Sequence, residues 1–341
     1  MEVMAQLNEK LNEDSTQLSC HAVTINTCLL AKNLSRGINF GNMLEAPLEG
    51  DYGLRLDPSY ISKVSSTFAT ARLPVRWSNH AAPTEDAALD DFFAARVDSV
   101  IDDMLKKGLY VILNMHHYRQ IFGDKLQSNE FGVDPSIVNS RFINIWRQIS
   151  YRYKNKSPKL IFELLNEPHG SMDGEAWNKL LSDTLTAVRE SNPNRAVIIG
   201  PGNWNNPYDL PKLKIPKDEN LIIAIHNYKP MEFTHQGADW ISPRLPVGVT
   251  CCNQAQRSSI LSSLEYAANW SRHSGYPLHL GEFGSLQTAD MQSRENYTRF
   301  VRDEAEQRGI GWAYWEFAST FGVYSPKTGL WVEPIRRALL D

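Results

Sequence analysis

The sequence predicts an α/β fold, a closed (β/α)8 barrel of TIM type preceded by an N-terminal extension. Two observations predict it. Eight short apolar runs alternate with segments of helical period, and most of the runs are apolar at successive positions, as strands buried on both faces must be. Nearly every run also stops at a polar or aromatic residue suited to a site, and in such a barrel the strand ends share one face.

The strand candidates are Gly37–Asn42, Ala71–Trp77, Tyr110–His116, Leu160–Asn166, Ala196–Gly200, Leu221–His226, Pro277–Glu282 and Gly311–Glu316. Helical period covers Pro58–Thr70, Asp90–Lys107, Pro135–Tyr153, Gly174–Ser191, Asn253–Ser274, Gln287–Arg308 and a segment from about Val332 to the end. Asp57-Pro58 and Asp134-Pro135 read as helix starts, a capping Asp followed by a first-turn Pro. Gly108 and Gly309 read as stops. Asn206–Leu213 is weakly helical. Residues 1–34 show no clear period and are read as an extension packed on the barrel, with 35–341 as one catalytic domain. A doubly wound open sheet is the alternative, but Gly37–Asn42 (GINFGN) lacks the GxGxxG phosphate loop that such a sheet would want.

The 341 residues suit one barrel with extra loops. Lys and Arg number 35 against 39 Asp and Glu, so no basic surface points to nucleic acid or an anionic membrane. No apolar run is long enough to span a bilayer. The polar, acidic start does not look like a signal peptide. Of the four cysteines, Cys20 and Cys28 are placed to bridge if the chain is secreted; otherwise all four, including Cys251 and Cys252, are free thiols.

The strand ends carry the chemistry. They offer Asn42 with Glu45, Arg76 with Trp77, His116 with His117, Asn166 with Glu167, His226 with Tyr228, then Glu282, and last Trp315 with Glu316. A lone polar residue ending a strand is usually a cap, whereas this many together imply a site. Two carboxyls facing one sugar can split a glycosidic bond, one as proton donor and one as nucleophile. Arg76 and Tyr228 are expected to hold Glu282 ionised, Asn166 to bind the sugar 2-hydroxyl, and Trp315 to offer a flat face. His116 and His226 supply donors. A metal centre built from His116, His117, His226 and a glutamate is the rival chemistry. A catalytically silent glycan-binding barrel is the rival class.

The motifs RLPVRW, YVILNMHH, FELLNEP, IHNY, LGEFG and WAYWEF together resemble glycoside hydrolase family 5, the cellulase family of retaining barrel glycosidases. GNMLEAPLEGDYG and FTHQGADW resemble its bacterial endo-β-1,4-glucanases. The resemblance implies Glu167 as acid/base and Glu282 as nucleophile, about 5–5.5 Å apart. It carries over Arg76, His116, Asn166, His226, Tyr228 and Trp315 as the shared site, and Asn42, Glu45, His117, His235, Trp240 and Glu316 as sugar-lining residues. It implies a β-glucan substrate, with mannan, xyloglucan or lichenan as alternatives, no metal or organic cofactor, a monomer, and secretion. Ser242–Cys252 matches nothing in that pattern.

Overall fold

A computed structural model describes residues 20–341; the first part of the extension, 1–19, lies outside the described residues. Eight parallel strands close a barrel in sequence order. They are β1 (Gly37–Asn39), β2 (Thr70–Leu73), β3 (Tyr110–Asn114), β4 (Leu160–Glu163), β5 (Val197–Ile199), β6 (Leu221–His226), β7 (Leu278–Glu282) and β8 (Gly311–Tyr314). Every strand candidate of the sequence overlaps one of them, and seven contain theirs whole; β2 begins one residue early, at Thr70, which the helical period includes.

The major helices are α1 (Ile25–Asn33), α2 (Pro58–Ser65), α3 (Asp91–Lys106), α4 (Val138–Arg152), α5 (Gly174–Arg189), α6 (Gln254–Ser274), α7 (Met291–Gln307) and α8 (Glu333–Leu340). Their ends follow the expected chemistry. Asp57 accepts from the Ser59 N–H with Pro58 in the first turn, and Asp134 accepts from the Ser136 N–H at a 3-10 turn leading into α4. Asn253 and Gln256 form a reciprocal capping box at the start of α6. The weakly helical Asn206–Leu213 is a 3-10 turn, Pro207–Lys212. Among the described residues no helix is long and apolar enough to cross a membrane.

Strand alternation explains why the runs look apolar on both faces. Outward residues such as Val111, Phe162, Ile223 and Leu280 join the large core beneath the helices. Inward residues split into two levels. Ile112, Ile161, Ile198, Ile222 and Ala224 form a separate apolar cluster inside the barrel, completed by Ala31 and Leu34. Above it lie buried polar side chains: Asn39, Arg72, Asn114, Glu163, His226 and His279. Each belongs to a strand or its end, so the barrel is oily below and polar above.

The extension does more than pack outside. Helix α1 lies across the N-terminal mouth. Thr24 and Thr27 hydroxyls donate to Asn220 Oδ1 just before β6 (3.3 and 3.0 Å). At the start of β8 the backbone of Ala31 and Leu34 passes so near Gly311 that a Cβ there would sit 2.3 Å from the Leu34 carbonyl oxygen. Only glycine fits. The free-thiol reading is corrected: Cys20 bonds Cys28, and Cys251 bonds Cys252.

Candidate active site

Arg72 organises the upper level. It is fully buried, and all five of its N–H donors are used. Nε and Nη2 each reach Glu163 at 2.7 Å, Nη1 reaches Asn39 (2.8 Å) and Glu282 (2.7 Å), and Nη2 also reaches Asn166 Oδ1 (2.6 Å). The guanidinium fork is a rigid planar template, so these partners fix one another.

This corrects the role given to Arg76. Pro74 ends β2, and Arg76 lies in the loop beyond it. Its guanidinium pairs with Glu130, the Tyr52 hydroxyl and the Glu45 carbonyl, binding the β1–α2 loop to the β3–α4 loop. The cation on Glu282 is Arg72, which alternation would have singled out as inward-facing, two residues ahead of Pro74.

Glu282 ends β7. Its second oxygen accepts from the Tyr228 hydroxyl at 2.9 Å, as expected. A register shift between Ile225 and His226 sets His226 opposite Glu282. The His226 Nδ1 then lies 2.8 Å from Glu167 Oε1 and 3.8 Å from Glu282 Oε2. A carboxylate oxygen of Glu167, one of Glu282 and a ring nitrogen of His226 all lie within 4.8 Å of one another. Among the described residues this is the convergent group; His116, His117 and His226 do not form one.

Glu167 sits just past β4 with a positive φ of 49°, in the left-handed region. His169 holds that turn by donating from Nδ1 to the Glu167 carbonyl (2.6 Å), with Nε2 3.2 Å from Asp124. The His169 ring is sandwiched between Phe122 and Trp204 (4.1 and 4.8 Å). Trp204 is half exposed, and its backbone N–H donates to the Pro168 carbonyl.

The two carboxyls stand in different fields. Burial pushes Glu167 up to about 7, opposed only by the charges of Arg72 and His169. Burial also raises Glu282, but there His226 and a direct ion pair with Arg72 oppose it. Burial holds His226 down at about 4, so at neutral pH it is an uncharged imidazole.

The other candidates fall around this centre. Trp315 packs its indole against Gly41, where a Cβ would come within 2.8 Å, and its plane runs beside His116 (5.6 Å, 13°). His116 is buried, with Nδ1 3.2 Å from the Asn114 amide. His117 meets His116 and Tyr52 edge-on. His235 packs on Tyr228 (4.9 Å), with the exposed Trp240 beyond it (6.2 Å). Asn42 takes a positive φ of 62°, and its backbone N–H goes to Glu45.

Two sugar-lining expectations are corrected. Glu45 is buried with its carboxylate on the backbone N–H groups of Asn42 and Met43. Glu316 is buried with its carboxylate on Ala318, Ser319 and Phe321. Both brace cleft loops. Sequence reasoning missed Arg72 and Glu163 in the polar tier, and Trp204 and Asn205 beside it, where the buried Asn205 amide lies 3.3 Å from His226 Nε2.

Comparison with known proteins gives the chain its family. Residues 49–320 match the model of the cellulase family, glycosyl hydrolase family 5. "Endoglucanase H" of Acetivibrio thermocellus is 34% identical over 303 residues, 89% of this chain. "Cellulase/esterase CelE" of the same organism is 27% identical and also covers 89%. The chain spans only 31% and 39% of those two proteins. A solved hyperthermophilic endo-β-1,4-glucanase in complex with substrate is 37% identical, with a TM-score of 0.87 over 92% of this chain and 99% of that one. Thermotoga maritima Cel5A with mannotriose is 38% identical, with a TM-score of 0.86 over 91% and 99%. With a matching barrel and a family model spanning most of its length, this chain belongs to glycosyl hydrolase family 5.

Proposed function

We propose that the chain is a retaining endo-β-1,4-glucanase in which Glu282 is the nucleophile and Glu167 the acid/base. The observation that carries this is the pair itself: two carboxyls with oxygens within 4.8 Å, one ion-paired to Arg72 and one not. That spacing leaves no room for a water between nucleophile and sugar, which an inverting enzyme needs. In the first step Glu282 bonds to C1. The C–O electron pair leaves with the aglycone oxygen, which takes the proton from Glu167. In the second, Glu167 accepts a proton from water, whose oxygen displaces Glu282 from C1. Asn166 is suited to the 2-hydroxyl, because Arg72 occupies Oδ1 and, among the described residues, no hydrogen bond uses Nδ2. Trp315, Trp204 and Trp240, on three different loops, supply flat faces for a chain of pyranose rings.

The test is stereochemical. Proton NMR of the first product released from cellohexaose is expected to show the β-anomer, with viscosity of a soluble cellulose derivative falling ahead of reducing-end release. An α-anomer first, or sugar release without loss of viscosity, overturns the reading. The mannotriose complex of the Thermotoga relative makes β-mannan the second substrate to assay.

A pH profile gives a further check. Glu167 must be protonated to donate, so activity is lost as pH rises through its pKa. The alkaline arm of kcat/KM is expected near 7, where burial places Glu167. An alkaline arm above about 9 would assign the proton to another group.

A further inference from the structure

We propose that Asn205 fixes the tautomer of His226 and, through it, which oxygen of Glu167 carries the catalytic proton, an inference that rests on Glu167 being the acid/base group. Asn205 is fully buried, and its Nδ2 lies 3.3 Å from His226 Nε2. The other ring nitrogen, Nδ1, is the one 2.8 Å from Glu167 Oε1. An amide nitrogen can only donate. His226 Nε2 is therefore the lone-pair nitrogen, and the single ring proton sits on Nδ1, aimed at Glu167. Glu167 Oε1 is then an acceptor throughout the cycle. The proton delivered to the leaving oxygen must reside on Oε2.

The surroundings are built for this contact. Asn203, Trp204 and Asn205 all have positive φ (54°, 59° and 56°), a left-handed turn of three non-glycine residues. Such residues are strained and persist only where neighbours impose the conformation. Gly200 opens the space, since a Cβ there would lie 2.2 Å from Asn205 Oδ1. Among the described residues that buried carbonyl has no donor. Turning the amide over would instead strand its NH2 group, and a buried donor without a partner is the rarer arrangement. The amide nitrogen thus faces the ring. Because burial keeps His226 uncharged at neutral pH, the choice is between tautomers rather than between charge states.

Asn205 acts through His226 and touches no substrate, so it is a positioning residue, and leaving-group dependence tests it. The ratio kcat/KM reports steps up to the first C–O cleavage. Phenyl β-cellobioside needs a proton on its leaving oxygen, whereas the 2,4-dinitrophenyl glycoside does not. Asn205→Gly suits the left-handed backbone and removes the amide. Asn205→Asp keeps the size but can only accept, which draws the ring proton to Nε2 and leaves Nδ1 bare against Glu167. Each variant is expected to lose roughly tenfold or more on the phenyl substrate and less than about twofold on the dinitrophenyl one, a fraction of the usual acid-catalysis term. Equal losses on both substrates, or none on the phenyl one, overturn the proposal. If Asn205→Gly fails to fold, Asn205→Asp alone decides. Glu167→Gln is measured alongside. An unselective loss there overturns the acid assignment and this inference with it, while a selective loss there and an unselective one in Asn205→Asp overturns the role of Asn205 alone.

Discussion

Glu282→Gln is expected to reduce kcat on soluble β-glucan by about 10⁴-fold or more, the scale seen when a covalent nucleophile is removed from an assembled site. The amide matches the carboxylate in shape, and its oxygen still accepts from Arg72. Its nitrogen pair is delocalised into the carbonyl and the group carries no charge, so it does not attack C1. Folding should survive, because Glu163 continues to balance the buried Arg72 and a like charge beside Glu167 is gone. The expected result is therefore a large loss of turnover with a melting temperature and a cello-oligosaccharide Kd close to those of the parent. Glu282→Gly extends the test. With azide present it should release a glycosyl azide of inverted configuration, since azide enters from the face the carboxylate left. Near-parental turnover in Glu282→Gln, or azide product of retained configuration, would assign the nucleophile elsewhere.

Arg72→Met is expected to combine the largest stability loss with a loss of activity of about 10²-fold or more. The substitution strands Glu163 and Glu282 without their ion pair, and breaking a buried pair from one side costs about 3–5 kcal/mol. The sign of its pH dependence is specific. In the parent, Arg72 holds Glu163 below the ordinary carboxylate range. That contribution is present above the unfolded pKa and lost as pH falls through the folded one. Without the cation, burial alone acts and the folded pKa values rise above the unfolded ones. The variant should then gain stability as pH is lowered from about 8 to 5, the opposite trend to the parent for Glu163 and an enlarged version of the parent trend for Glu282, which burial already raises. Its acid arm of kcat/KM should move to higher pH, because Glu282 must still be ionised to attack. Thermal melts across pH check the first point and initial rates the second. Arg76→Met serves as the control: it frees the β3–α4 loop from the β1–α2 loop and should raise KM more than it lowers kcat. If Arg76→Met reproduces the shifted acid arm and Arg72→Met does not, the assignment of the two arginines is reversed.

The barrel was legible because its strands must be apolar on both faces and its helices amphipathic, and composition shows both. Strand ends at Glu167, His226, Glu282 and Trp315 were legible because barrels use those ends. What failed has physical causes. Arg72 and Arg76 both stand in RLPVR, and only the break at Pro74 shows which lies inside the barrel. Glu45 and Glu316 follow strands as Glu167 and Glu282 do, but their carboxylates cap backbone turns, and composition does not distinguish a carboxylate facing a cleft from one on an N–H. Helix α1 buries Thr27, Cys28 and Ala31, too small and mixed a face to show a period. Trp204 and Asn205 depend on a left-handed turn that only tertiary contacts impose.

Helix α1 has a consequence for how the centre exchanges protons with its surroundings. Ala31 and Leu34 join Ile112, Ile161, Ile198 and Ile222 in a dry stopper beneath the charged tier. An apolar layer of this kind offers a chain of waters no polar group to bond to. Among the described residues, the carboxyl groups, His226 and the guanidinium stand on the other side of it, at the strand ends where the proposed substrate would enter. A sugar seated at those strand ends would then stand between the carboxyl groups and the open face of the barrel, so proton exchange is expected to slow while it is bound.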